Sequence, residues 1–443
     1  MRQATGRAGL LRRSLPGGAA AALVLVAAAA FAAENFPPPE FSRPYQFPAP
    51  TTPSPRAMAF AYVDMAVLLV ALCLAAYLAL RTRSRQGLVG LALFSLFYFG
   101  FYRQGCICSV GAIQNVALAA ANGQYALPLV AGVFFILPLL FALFFGRVFC
   151  ASVCPLGVVQ EIVMLRPVKV RPWLDSALGL VPYVYLGVGV LFAAIGSRFV
   201  ICEADPFIVF YRRGGPMWVV LFGVGMLVLS TFVGRPYCRY LCPYGALLRL
   251  VAPLSQWRLR ITPGECINCH LCADACPYGA IKAPNLESTA AQKAESRRRL
   301  RWLLVGLPFM VGFGAWALHA AAPTLAGVHP TVQLAVRVWQ EERGLVQGKT
   351  DESEAFDKLG IPAAELHRQA LDIHGQFSRW SWVLGAWLGL AFGIRMISLS
   401  VLRHRREYQI DMAACVACGR CYSACPVGRE QAPSEDLSES GIG

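Results

Sequence analysis

The sequence predicts an all-α polytopic membrane protein with about seven transmembrane helices and a cysteine-rich cytoplasmic domain assembled from two split halves. Three observations lead there. Of 443 residues, 56% are hydrophobic and only 15% charged, too apolar a balance for a water-soluble two-domain chain. Apolar runs recur at close to the roughly 20 residues that cross a hydrocarbon core. Two copies of C-x2-C-x2-C-x3-C-P, CINCHLCADACP at 266–277 and CVACGRCYSACP at 415–426, stand far apart in the chain.

Residues 1–33 read as a signal peptide or signal anchor. Arg12 and Arg13 precede the Ala-rich run 19–33, and AFA at 30–32 offers a small-residue cleavage site. The Pro-rich segment 34–58 then starts outside. Spans are expected at about 60–80, 87–103, 127–145, 175–196, 216–233, 302–321 and 380–400. They make a membrane domain over 59–255, a first cytoplasmic half over 256–301, two helices over 302–400 enclosing an external helical insert at 322–379, and a second cytoplasmic half over 401–443.

The net charge of +15 is explained by this topology. With the first long helix running inward, 27 of the 40 Lys and Arg fall in cytoplasmic segments, 12 in external ones, and Arg395 inside a helix, the asymmetry of the positive-inside rule. No basic-aromatic motif calls for a nucleic acid. The basic run at 293–301 reads as a topology anchor facing lipid headgroups.

The two cysteine motifs have the spacing of a two-cluster bacterial ferredoxin, in which three thiolates wrap one [4Fe-4S] cluster and the fourth reaches the other. Cys266, Cys269, Cys272 and Cys425 would hold one cluster, and Cys415, Cys418, Cys421 and Cys276 the second. Two membrane crossings lie between the halves, so both open to the same side and form a ferredoxin-like two-cluster domain. Zinc or disulfides are the competing readings; the Pro-terminated spacing and a reducing cytoplasm disfavour them.

An internal repeat, GRVFCASVCPLGVVQE at 146–161 and GRPYCRYLCPYGALLR at 234–249, places Cys150 and Cys154 opposite Cys238 and Cys242 at inner helix ends. A spacing of four puts each pair on one helical face, and the following Pro ends a turn or begins the next. Four such thiols suit a further metal centre, redox-active dithiols, or packing as small hydrophobes. A weaker echo, GCICSVGAIQNV at 105–116, aligns Cys108, Gly111 and Gln114 with Cys154, Gly157 and Gln160. The topology puts it at the outer face, where Cys106, Cys108 and Cys202 form either an outer-face centre or a disulfide pair. Cys73 is read as core packing.

The insert carries two amphipathic helical stretches and His329, His367 and His374, with His319 at a helix end. Haem b on a histidine pair is the sharper reading and solvated histidines the blander one. A P-loop, a G-x-G-x-x-G fingerprint and a G-x-S-x-G elbow are absent from the sequence. The polar stretch from residue 285, NLESTAAQKAESRRR, reads as a linker.

Two C-x3-C-P motifs followed by two C-x2-C-x2-C-x3-C-P motifs resemble the NapH/NosR/CcoG group of membrane polyferredoxins, over most of 87–280 and 401–426. The resemblance implies a multi-pass protein of the bacterial inner membrane with a cytoplasmic C-terminus. It makes the eight ferredoxin cysteines cluster ligands and Cys150, Cys154, Cys238 and Cys242 redox-motif cysteines. It implies electron transfer between the quinone pool or a cytoplasmic donor and a periplasmic redox partner, as a quinol dehydrogenase-type component. Other members of the group act in regulation or metalloenzyme maturation. Two departures stand out: no flavin-attachment motif is evident, and the ferredoxin motifs, adjacent in NapH-like members, are separated here.

Overall fold

The computed structural model describes residues 58–105, 108–259, 261, 266–267, 269–285, 289–401, 405 and 407–426. The signal segment 1–33, nearly all of the Pro-rich stretch, and Cys106 lie outside the described residues.

The molecule is mostly helical, and among the described residues four helices are long and apolar enough to cross a membrane: Met58–Leu80, the span Pro172–Ala194, Ala290–Ala320 and Ala363–Ser400. Three shorter apolar helices, Ser109–Ala121, Leu129–Phe145 and Met217–Ser230, accompany them. The Met58–Leu80 helix buries Leu68, Ala71, Leu72, Ala75, Ala76 and Ala79, a stripe at helical spacing that faces the core. Asp64 is on the same stripe, 1% exposed, with Arg103 Nη2 at 2.8 Å and the Tyr98 hydroxyl donating at 2.8 Å. An ionised carboxylate in that position requires such partners.

The run expected at 87–103 is not one regular helix. It begins as the α-helix Arg85–Ser95, capped by Ser84 accepting from Gly87 N at 3.1 Å, and widens into a π-helix over Leu96–Tyr102. π-Turns are costly, and they recur where the chain builds a site.

The C-terminal pair of helices is longer than expected. The polar stretch read as a linker instead starts the Ala290–Ala320 helix, because Thr289 and Gln292 form a reciprocal capping box that satisfies two orphan N–H groups. Likewise the last span begins at Ala363, inside the segment assigned to the external insert. The two helices meet backbone to backbone: a Cβ on Gly385 would strike Gly314 O, and one on Gly389 would strike Met310 O. The insert otherwise comprises Ala322–Ala326, Pro330–Glu342 and Asp351–Leu359. Val332, Ala335, Val338 and Phe356 close over Leu366 and Ala370 of the long helix.

Among the described residues the only sheet joins two strands of two residues, Ile281–Lys282 and Gln409–Ile410. They are antiparallel, with Ile281 opposite Ile410. This pairing brings together the halves separated by the two long helices.

Candidate metal centres

Each cysteine motif turns at the same place. The residue after its second cysteine is left-handed, His270 (φ 63) and Gly419 (φ 77), and each starts a one-turn helix, Leu271–Asp274 and Arg420–Ser423. Those turns carry Cys272 and Cys421. Ala417, also left-handed at φ 54, donates its N–H to Cys415 Sγ at 3.4 Å.

The halves are crossed. Cys272 has Cys266, Cys269 and Cys425 as its thiol neighbours, whereas Cys421 has Cys418, Cys415 and Cys276. Burial pushes the Cys415 thiol up to about 12, against the Ala417 N–H, and Cys418 and Cys276 add to the rise. Burial also raises Cys272 and Cys421. Protons on these crowded thiols are what a thiolate-bound metal displaces.

Among the described residues no group of three or more His, Cys, Asp or Glu closes round a point tightly enough for a single metal ion. The fit to [4Fe-4S] clusters rests on the donor set: two crossed groups of four thiols in loops whose left-handed turns wrap the cysteines, every one of the eight free of a disulfide.

The paired halves sit on the ends of the membrane helices. Glu161, in the helix Pro155–Ile162, is the hub. Its Oε1 accepts from Arg420 Nη2 at 2.6 Å in the second half, and its Oε2 from the Tyr278 hydroxyl at 2.7 Å in the first. The same oxygen accepts from Arg235 Nε at 3.2 Å, and Arg85 Nη2 lies 3.5 Å from Oε1. Burial opposes ionisation of Glu161, but the Arg235 and Arg420 guanidiniums prevail and hold its carboxyl at about 2. Arg85 Nη1 also donates to Cys418 O at 3.2 Å, Tyr422 to Ala79 O at 2.8 Å, and Arg239 Nη1 to Pro277 O at 3.3 Å. Beside Cys269, His270 hydrogen-bonds with the Tyr408 hydroxyl.

The C-x3-C-P pairs are not on single helical faces, as the spacing suggested. Cys150 is in the π-turn Phe149–Val153 and Cys238 in the short helix Pro236–Tyr240, while Cys154 and Cys242 are N-caps of the helices that Pro155 and Pro243 begin. Proline is well placed at that first position, where no N–H is needed. Gly245 N donates to Cys242 Sγ at 3.2 Å, and Gln160 Nε2 to Cys238 Sγ at 3.3 Å. All four thiols are mutual neighbours in the core.

The arginine before each pair connects it to the ferredoxin unit. Arg147, 2% exposed, donates from Nη2 to Cys150 Sγ at 3.7 Å and from Nη1 to Ala413 O, two residues before Cys415, at 3.0 Å. Arg235, equally buried, donates to the carbonyls of Cys150 and Ala151 as well as to Glu161.

Cys108 is not set apart from these thiols. With Cys154 it lines a small apolar cavity walled by Phe99, Phe134, Phe149 and Tyr211, and Cys202 stands beside it. The two groups expected at opposite faces therefore share one buried region.

Comparison with known proteins finds iron-sulfur domains over the same segments. One 4Fe-4S binding domain model matches residues 127–172 and 215–262, and a second, also described as a 4Fe-4S binding domain, matches 259–282 and 408–428. Over 49% of the chain, the sequence is 32% identical to Regulatory protein NosR of Pseudomonas aeruginosa, covering 33% of that protein. Over 31% it is 35% identical to Protein NirI of Paracoccus denitrificans, covering 22%. Along these segments the chain is similar to NosR/NirI-type polyferredoxins. It is also 28% identical, over 38% of its length, to the putative electron transport protein YccM of Escherichia coli. The match spans 52% of YccM and about a third of NosR. No solved structure matches.

Among polyferredoxin features, the cysteine motifs were visible in the sequence, but Glu161, Tyr278, Arg420 and the bridging role of Arg147 and Arg235 were not. The Gly-Arg that opens both repeats was the available signal. Of the histidines singled out in the sequence, His319 stacks on Trp382 at 4.7 Å, and His329 caps a helix by accepting from Thr331 N at 3.2 Å.

Proposed function

We propose that this polyferredoxin passes electrons across the bacterial inner membrane, between a cytoplasmic donor or the quinone pool and a periplasmic partner. Two observations support it: the matched models are 4Fe-4S binding domains, and YccM is by name an electron transport protein. Cys266, Cys269, Cys272 and Cys425 hold one [4Fe-4S] cluster, and Cys415, Cys418, Cys421 and Cys276 a second; Cys150, Cys154, Cys238 and Cys242 hold a further centre. Seven spans and a cytoplasmic C-terminus complete the reading, with the loops that touch the ferredoxin halves all on the inner side.

One observation carries the proposal: Arg147 touches both a C-x3-C-P thiol and the backbone just before the ferredoxin ligand Cys415. Bound clusters would supply one-electron carriers. The chain's part is to fix the two sets against each other, to place buried guanidinium charge between them, and to keep water from the inner set. A hydrocarbon core about 30 Å thick leaves most of the crossing unbridged by cytoplasmic clusters alone, so the buried thiols are where the path must continue.

The test is anaerobic reduction of the purified chain in liposomes by external dithionite, with an oxidant enclosed. Oxidant consumption that stops in Cys238→Ser with Cys242→Ser supports the wire; equal rates in that variant would refute it. The name of NosR as a regulatory protein favours one second reading, a redox-sensing or maturation factor for a partner metalloenzyme. Loss of metal from the partner on gene deletion, instead of loss of its electron supply, would select it.

A further inference from the structure

Cys108 and Cys202 lie outside the spans of both matched 4Fe-4S domain models, yet they are arranged like residues inside them. In the matched region Gln160 is fully buried; its Oε1 accepts from Tyr237 N at 3.0 Å, and its Nε2 donates to Leu156 O at 2.8 Å and Cys238 Sγ at 3.3 Å. Gln114, the aligned residue, is also fully buried, and its Oε1 accepts from Cys202 N at 3.1 Å. Its Nε2 has no acceptor among the described residues.

A buried amide N–H left unpaired costs about 1–3 kcal/mol, and here it belongs to the side chain that holds the backbone of Cys202. Gly111, aligned with Gly157, lets a sulfur approach: a Cβ there would stand 3.0 Å from Cys202 Sγ. Cys108 Sγ accepts from Val110 N at 3.4 Å. Cys154 lines the same apolar cavity as Cys108. The place is apolar and holds thiols and buried donors in want of an acceptor, Gln114 Nε2 together with Ser109 Oγ and the Tyr211 hydroxyl of the cavity wall.

We propose that Cys108 and Cys202 are thiolate ligands of a further buried iron-sulfur centre, with Gln114 Nε2 donating to its sulfide, next to the centre of the two C-x3-C-P pairs. Iron loading displaces the two thiol protons to solvent. A disulfide between the two cysteines would leave the Gln114 donor with no anion to bond. The centre extends the proposed electron path beyond Cys154 and rests on that electron-transfer reading.

The experiment compares iron content and low-temperature EPR of the full chain, purified anaerobically, in three forms: wild type, Cys108→Ser with Cys202→Ser, and Cys238→Ser with Cys242→Ser. The first double variant should lose iron and one signal while both ferredoxin signals remain. Iron and spectra equal to wild type would overturn the inference. If the second double variant loses iron and the first does not, only this inference falls; if neither does, the buried centre of the C-x3-C-P pairs falls as well. Gln114→Leu keeps every thiol and tests the same point without cysteine loss. Removing a donor to an anionic centre disfavours its reduced form, so the midpoint potential of that one signal should move lower with the others fixed. An unmoved potential would count against the assignment.

Discussion

Arg420 Nη2 and Glu161 Oε1 meet at 2.6 Å across 259 residues of chain, and with the Arg85, Tyr422 and Arg147 hydrogen bonds that contact ties the second cysteine-rich half to the helical domain. The other carboxylate oxygen takes the Tyr278 hydroxyl of the first half and the buried Arg235. Glu161→Gln keeps the shape and removes the charge. Leaving Arg235 uncompensated should lower stability by about 3 kcal/mol, seen as a lower unfolding temperature of the detergent-solubilised chain, while Glu365→Gln on the exposed surface should change little.

The same carboxylate sets a pH window. Its folded value of about 2 lies below the ordinary 4.5, so its stabilisation is complete above about pH 4.5 and is lost as pH falls toward 2. The stability difference between wild type and Glu161→Gln should therefore be constant from neutral pH down to about 4.5, then shrink. A difference that instead varied between pH 6 and 8 would show that another group governs the joint.

Crossed ligation predicts a crossed phenotype. Cys425 belongs to the second motif but stands with Cys272 of the first. Cys425→Ser should alter the EPR signal of the cluster on Cys266, Cys269 and Cys272, and Cys276→Ser that of the other. Effects confined to each residue's own motif would refute the crossing.

The long helices supply a packing prediction with its own control. Gly385→Ala forces a Cβ into Gly314 O, whereas Gly312 faces open space. The first change should cost about 1–3 kcal/mol and Gly312→Ala close to nothing, read from thermal unfolding of the two variants.

Much of this was legible beforehand, for reasons tied to particular residues. The eight ferredoxin cysteines are fixed by a spacing that only a short wrapped loop satisfies, and the apolar runs locate the helices because composition alone marks them. What escaped was local chemistry at the ends. Thr289 and Gln292 turned a presumed linker into a helix start, and the last helix starts after its N-cap Pro362, within the stretch expected to be external. The nearness of Cys108 to Cys154 escaped because a topology of straight spans has no place for the π-helix at Leu96–Tyr102 or for helices that begin within the core at Pro155 and Pro243. The echo of Cys108, Gly111 and Gln114 in Cys154, Gly157 and Gln160 was visible as a pattern, and its meaning needed the hydrogen bonds.

The central claim is that two distant cysteine motifs form one two-cluster unit. Dithionite-reduced EPR of the intact chain tests it most directly. The account predicts a spin-coupled spectrum that simplifies to an isolated [4Fe-4S] signal when Cys418→Ser removes one cluster. Two independent, uncoupled signals in the wild type, each unaffected by loss of the other, would contradict it.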